Sequence, residues 1–121
     1  MAVSFFSIDL MTIQNMTAKK SILLLALAMA GLSAFARDVV IDVRTPQEFA
    51  AGHIAGAINI DHAVIGQEIS AAKVAKGDTV ILYCRSGHRA GIAQDTLKKM
   101  GYLKVENYGS LEQARKLLPA P

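Results

Sequence analysis

The sequence predicts an α/β domain, a small parallel sheet of four to five strands with helices on both faces. Three observations predict it. Runs rich in β-branched residues alternate along the chain with segments whose apolar residues recur at helical spacing. The strand runs are short and almost wholly apolar, as in strands covered on both sides. The helical segments carry their own start and stop signals.

Taken in order, Val39, Val40, Ile41, Asp42 and Val43 form the first strand run. Thr45, Pro46 and Glu48 then open a short helix, with Thr45 as N-cap, Pro46 in the first helical position and Glu48 closing a capping box. Gly52 ends it. A second short strand is expected over 57–60, and a helix over 65–75 with Ile65, Ile69 and Ala72 on one face, closed by Gly77 and Asp78. Residues 79–83, Thr-Val-Ile-Leu-Tyr, are the clearest strand. A six-residue loop follows, 84–89. Ala90, Ala93, Leu97 and Met100 then make one helical stripe, with Lys98 and Lys99 suiting its C-terminal dipole and Gly101 capping it. The last strand is expected over 105–108. Ser110 and Gln113 start a final helix lined by Leu111, Ala114 and Leu118, before Pro119.

A chain of 121 residues has room for one domain and at most an appendage, and none for a multidomain enzyme or a long repeat array. Its apolar residues are unevenly spread: about two-thirds of positions 1–36 against about 46% of 37–121. Lys19 and Lys20 precede an apolar run over 21–32, and Ala34 and Ala36 supply a small-residue cleavage pattern. This is the layout of a secretory signal peptide cut after Ala36. The run is shorter than the roughly 20 residues that span a bilayer, so a membrane anchor is the weaker alternative. Met16 makes a more typical leader start than Met1, because Asp9 stands where positive charge is expected; 1–15 then read as an upstream extension. The expected mature domain is 37–121, located in the periplasm and without membrane contact once the leader is removed. Its 11 Lys and Arg against 9 Asp and Glu give +2, with no basic run, which excludes a nucleic-acid binder of the usual kind. Its small size predicts a monomer.

Cys84 is the single cysteine, so it cannot close an intramolecular disulfide in an exported chain. A buried structural cysteine at a strand end is the plain alternative. The residues after it, Arg85, Ser86, Gly87, His88 and Arg89, favour chemistry. A loop between a strand and a helix N-terminus turns backbone N–H groups inward and binds anions, a thiolate included. Gly87 permits the tight path, and Arg85 and Arg89 can pair with an anionic substrate. A nucleophile beside an anion cradle implies covalent chemistry on a small anion. The three histidines are scattered, with no spacing that marks a zinc site.

The run Cys84-Arg85-Ser86-Gly87-His88-Arg89-Ala90 resembles the active-site loop of the rhodanese, or sulfurtransferase, family. Ile41-Asp42-Val43-Arg44, then Glu48-Phe49, then Gly52-His53-Ile54-Ala55-Gly56-Ala57-Ile58-Asn59-Ile60 resemble its N-terminal signature. The resemblance covers 38–118 and is strongest to small exported single-domain members. The chain departs from it by lacking a tryptophan near the end and room for the usual first small strand. The resemblance implies a double displacement on Cys84: a donor such as thiosulfate leaves a persulfide, and a thiophilic acceptor (cyanide, a thiol or a protein thiol) removes the sulfur. It implies no metal or organic cofactor. Arg85, Ser86, Gly87, His88 and Arg89 are the expected substrate-binding residues, His53 a structural histidine bonding its own loop, and Asp42 and Arg44 a buried pair supporting the site. Two other readings stand beside it. One is a non-catalytic module that carries sulfur for a partner or binds one. The other is a phosphatase or arsenate reductase of related fold; those carry Cys-x5-Arg, whereas Cys84 to Arg89 is Cys-x4-Arg, which argues for sulfur.

Overall fold

The computed structural model describes residues 36–120. The expected leader over 1–36 lies outside them but for Ala36. No helix among the described residues is long and apolar enough to cross a membrane. The elements run β1 (Asp38–Asp42), α1 (Pro46–Ala51), β2 (Ile58–Asn59), α2 (Ile65–Glu68), β3 (Thr79–Cys84), α3 (His88–Lys99), β4 (Lys104–Ser110) and α4 (Leu111–Leu117). The four strands form one sheet in the order β2-β1-β3-β4, every pair parallel. Strand count and direction therefore agree with the sequence. Parallel order places all the strand C-termini, and Cys84 with them, at one end of the sheet.

The two faces of β3 explain its unbroken apolar run. Val80, Leu82 and Cys84 join Ile41, Val43, Ile65, Ile69, Ala90, Ala93 and Leu97 on the side of α2 and α3. Tyr83 joins Ala57, Ala114, Phe49, Ile54 and Leu111 on the side of α1 and α4. Alternate residues of one strand thus enter two cores. Both predicted capping boxes form: Thr45 with Glu48 at α1, and Ser110 with Gln113 at α4.

Four details differ from the sequence reading. The helix expected over 65–75 stops at Glu68. Beyond it the backbone finds other partners: Ala72 N–H donates to Ile69 O, Lys73 N–H to Ser70 O, Ala75 N–H to the Asp78 carboxylate, and the Tyr102 hydroxyl to Val74 O. Lys73 is left-handed, with φ 57°, which no continuing helix allows. Met100, expected in the core stripe, caps α3 and is exposed, because the chain must turn there toward β4. The helix begins at His88 and not Ala90, so the loop after Cys84 is only 85–87. The second strand shrinks to two paired residues, although Ile60 N–H still donates to Asp42 O at 3.0 Å.

Candidate active site

Cys84 ends β3 with no exposed surface. The next three residues carry the chain from the sheet into α3. Gly87 makes the turn at φ 92°, a conformation that side chains with a Cβ rarely adopt, and a Cβ there would also stand 3.3 Å from the Gly109 backbone. The turn returns the Gly87 N–H onto the cysteine, where it donates to Sγ at 2.9 Å. One amide of the loop thus already faces the sulfur, three residues from its place in sequence. The start of a twelve-residue helix lies directly behind it.

Neighbouring elements hold the loop. Asn107 on β4 donates its side-chain N–H to Gly87 O at 2.9 Å and accepts from Gly109 N–H at 2.9 Å. A register shift between β3 and β4 brings Ser110 opposite Cys84. Arg85 and Ser86 are exposed, and the Ser86 hydroxyl accepts from His88 N–H at 3.4 Å. Arg85 lines a depression of about 490 Å³ with Arg44, Ser110, Leu111 and Glu112. Sequence reasoning missed Asn107, Leu111 and Glu112 as neighbours of the loop, and no local pattern marks them.

Arg89 is not free. Its guanidinium makes two bonds to the Glu48 carboxylate, at 2.7 and 3.0 Å, across 41 positions of sequence. The same Glu48 accepts from Thr45 N–H at 3.2 Å as the capping box requires. One carboxylate therefore caps α1 and clamps the first turn of α3. Only its capping role was visible in the sequence. The Arg89 guanidinium holds the Glu48 carboxyl at about 2, below the ordinary 4.5. Arg89 is raised in turn, by its hydrogen bonds to Glu48 above all.

The lowered value has a stability consequence. A carboxyl whose folded value lies below its unfolded value stabilises the fold fully above the unfolded value, and that contribution is lost as pH falls through the folded one. Glu48 is a quarter exposed, so solvent screening reduces its worth. We expect Glu48→Gln to lower unfolding free energy by about 1–2 kcal/mol at neutral pH. The gap to wild type should close as pH falls from about 4.5 toward about 2. Denaturant unfolding of both chains across that range checks it; a gap independent of pH would show that the ion pair is not its source.

Beneath the loop, Asp42 and Arg44 form the expected buried pair, Nη2 to Oδ2 at 2.6 Å and Nε to Oδ1 at 2.9 Å. Arg44 also donates to Gly52 O at 2.7 Å. Its pKa is raised, through the hydrogen bonds to Asp42 first. Asn59 donates to Asp42 O and Arg44 O, both at 3.0 Å. Tyr83 lies 5.7 Å beneath the Arg44 guanidinium, and its hydroxyl accepts from Ile54 N–H at 3.1 Å. Burial pushes that phenol up to about 12, so it stays neutral. His53 stacks on Phe49 at 3.6 Å with Nδ1 2.8 Å from Phe49 O, which places it in the α1 cap. Among the described residues no group of histidine, cysteine and carboxylate side chains could hold a metal ion.

Comparison with known proteins bears on this geometry. Residues 26–115 match the model of the rhodanese-like domain. The chain is 43% identical over 94 residues to the thiosulfate sulfurtransferase PspE of Escherichia coli, an alignment covering 78% of this chain and 89% of that protein. It is 36% identical over 83 residues to a sulfurtransferase of Allochromatium vinosum, covering 67% of this chain and 76% of that one. Among solved structures, a rhodanese with anions from E. coli superposes with a TM-score of 0.62 at 38% identity, over 69% of this chain and 94% of its own.

Proposed function

Because the chain belongs to the family of rhodanese-like domains and is a sulfurtransferase, we propose that it moves a sulfane sulfur from thiosulfate, or a similar anionic donor, through a persulfide on Cys84. The Cys84 thiolate attacks the outer sulfur of thiosulfate. The donor's S–S bond breaks, and sulfite leaves with the electron pair. Cyanide or a thiolate then attacks the terminal sulfur of the persulfide and carries it off, and the Cys84 thiolate returns. Neither step needs an outside oxidant or reductant.

The observation that carries this reading is the Gly87 N–H held on Cys84 Sγ at the mouth of a helix. A donor pointed at a sulfur stabilises negative charge there before and after transfer. Arg85, Ser86, Gly87, His88 and Arg89 form the donor-binding loop. Arg85 is exposed beside the depression and meets the donor's anionic end. Arg89 contributes a charge fixed in place by Glu48. The name of the E. coli relative supports thiosulfate as donor. The leader pattern over 19–36 supports export to the periplasm, and a mass measurement on secreted protein should place the new N-terminus at Arg37.

Incubating purified protein with thiosulfate is expected to add one sulfur atom to its mass, at Cys84, and cyanide should remove it as thiocyanate. An intact fold that takes up no sulfur but hydrolyses phosphate esters would overturn the proposal.

A further inference from the structure

The domain's positive charge is gathered at the end of the sheet opposite Cys84. Arg37 precedes β1, Lys73 and Lys76 precede β3, Lys98 and Lys99 end α3, and Lys104 begins β4. Hydrogen bonds knit these segments into one pole. Arg37 Nη2 donates to Lys73 O at 2.8 Å, Thr79 N–H to Arg37 O at 2.9 Å, Leu103 N–H to Lys76 O at 3.1 Å, and Lys76 Nζ to Met100 O at 2.6 Å. Six of the eleven Lys and Arg of 37–121 stand here, against three of the nine carboxylates, Asp38, Asp78 and Asp95, the last one turn before Lys98 and Lys99. Asp78 is buried and already bonded to Arg37 and to Ala75 N–H. The pole is thus net positive, while the rest of 37–121 is net negative. Leu103 protrudes between Lys76 and Lys104, 78% exposed, with Met100 exposed nearby.

Basic side chains on the segments that adjoin an exposed leucine are the chemistry of attachment to an anionic bilayer. The lysines meet phosphate headgroups, and the apolar side chain enters the acyl boundary. We infer that this pole docks on an anionic phospholipid surface, which departs from the sequence expectation of no membrane contact after the leader is removed. A nucleic acid would match the charge but gives no use for the exposed leucine. Cys84 lies at the far end of β3, about 17 Å away at about 3.3 Å per residue. A docked domain holds its catalytic loop toward solvent, open to soluble donors and to thiols.

Flotation of the full chain with vesicles of phosphatidylcholine alone, or mixed with phosphatidylglycerol, tests this. We expect an excess of protein on the anionic vesicles that high salt removes. The combined substitution Lys98→Glu, Lys99→Glu and Lys104→Glu should cut that excess at least about tenfold, and Leu103→Ser should reduce it further. Sulfur transfer in solution should be unchanged in all of these variants, which verifies their fold. No excess on anionic vesicles, or an excess that survives the three reversals, overturns the inference. So does tighter binding to duplex DNA than to the vesicles, which would assign the pole to nucleic acid.

Discussion

Cys84→Ser is expected to lower thiocyanate formation from thiosulfate and cyanide at least about a thousandfold, and to abolish sulfur uptake measured by mass. The reason is chemical, not structural. A serine hydroxyl is a far weaker nucleophile toward sulfur, and it provides no thiolate to carry the transferred atom. The fold should survive the change, because an oxygen in the same place still accepts the Gly87 N–H. Sγ is buried within the α3-side core, so the more polar oxygen should cost about 1 kcal/mol. Loss of activity with nearly unchanged denaturant unfolding is the expected pair of results. Residual activity within tenfold of wild type would show that the sulfur passes elsewhere.

Arg44→Ala should have the largest effect on stability. Arg44 and Asp42 are both buried, and the guanidinium supplies the bonds that Asp42 Oδ1 and Oδ2 receive from it. Removing one partner of a buried pair leaves the other charged and unsolvated, at a cost of about 3–5 kcal/mol. The Gly52 carbonyl loses its donor as well. For a domain of this size that is a large share of total stability. The denaturant midpoint should fall with an unchanged slope. Joining Arg44→Met to Asp42→Asn should recover part of the loss, since neither charge is then stranded. If Arg44→Ala unfolds at the wild-type midpoint, the pair does not brace the site.

Much of the fold was legible because its signals are local. The capping boxes at Thr45 and Ser110 join residues three positions apart and formed as read. The stripe Ala90, Ala93, Leu97 follows one helix's own period, and all three are buried. The helix over 65–75 failed where locality failed: its period was right at Ile65 and Ile69, but Asp78 and Tyr102 drew the later backbone groups away. The site divides in the same way. Cys84 and the Gly87 turn are neighbours in sequence. Asn107, which holds that turn, comes from another strand 20 positions on.

The alternation of strand and helix, the caps, and the place of the only cysteine at the first residue of a strand-to-helix loop all follow from local patterns in the chain. Periodicity, capping and turn chemistry act over a few residues and need no knowledge of the rest of the chain. The clamp of Glu48 on Arg89 and the opening of Arg85 on the depression arise from long-range packing. Long-range packing also brings lysines from separate segments to one pole, in a sequence with no basic run. Those pairings depend on strand order and parallel register, which bring distant residues within the few ångströms at which hydrogen bonds and charge act.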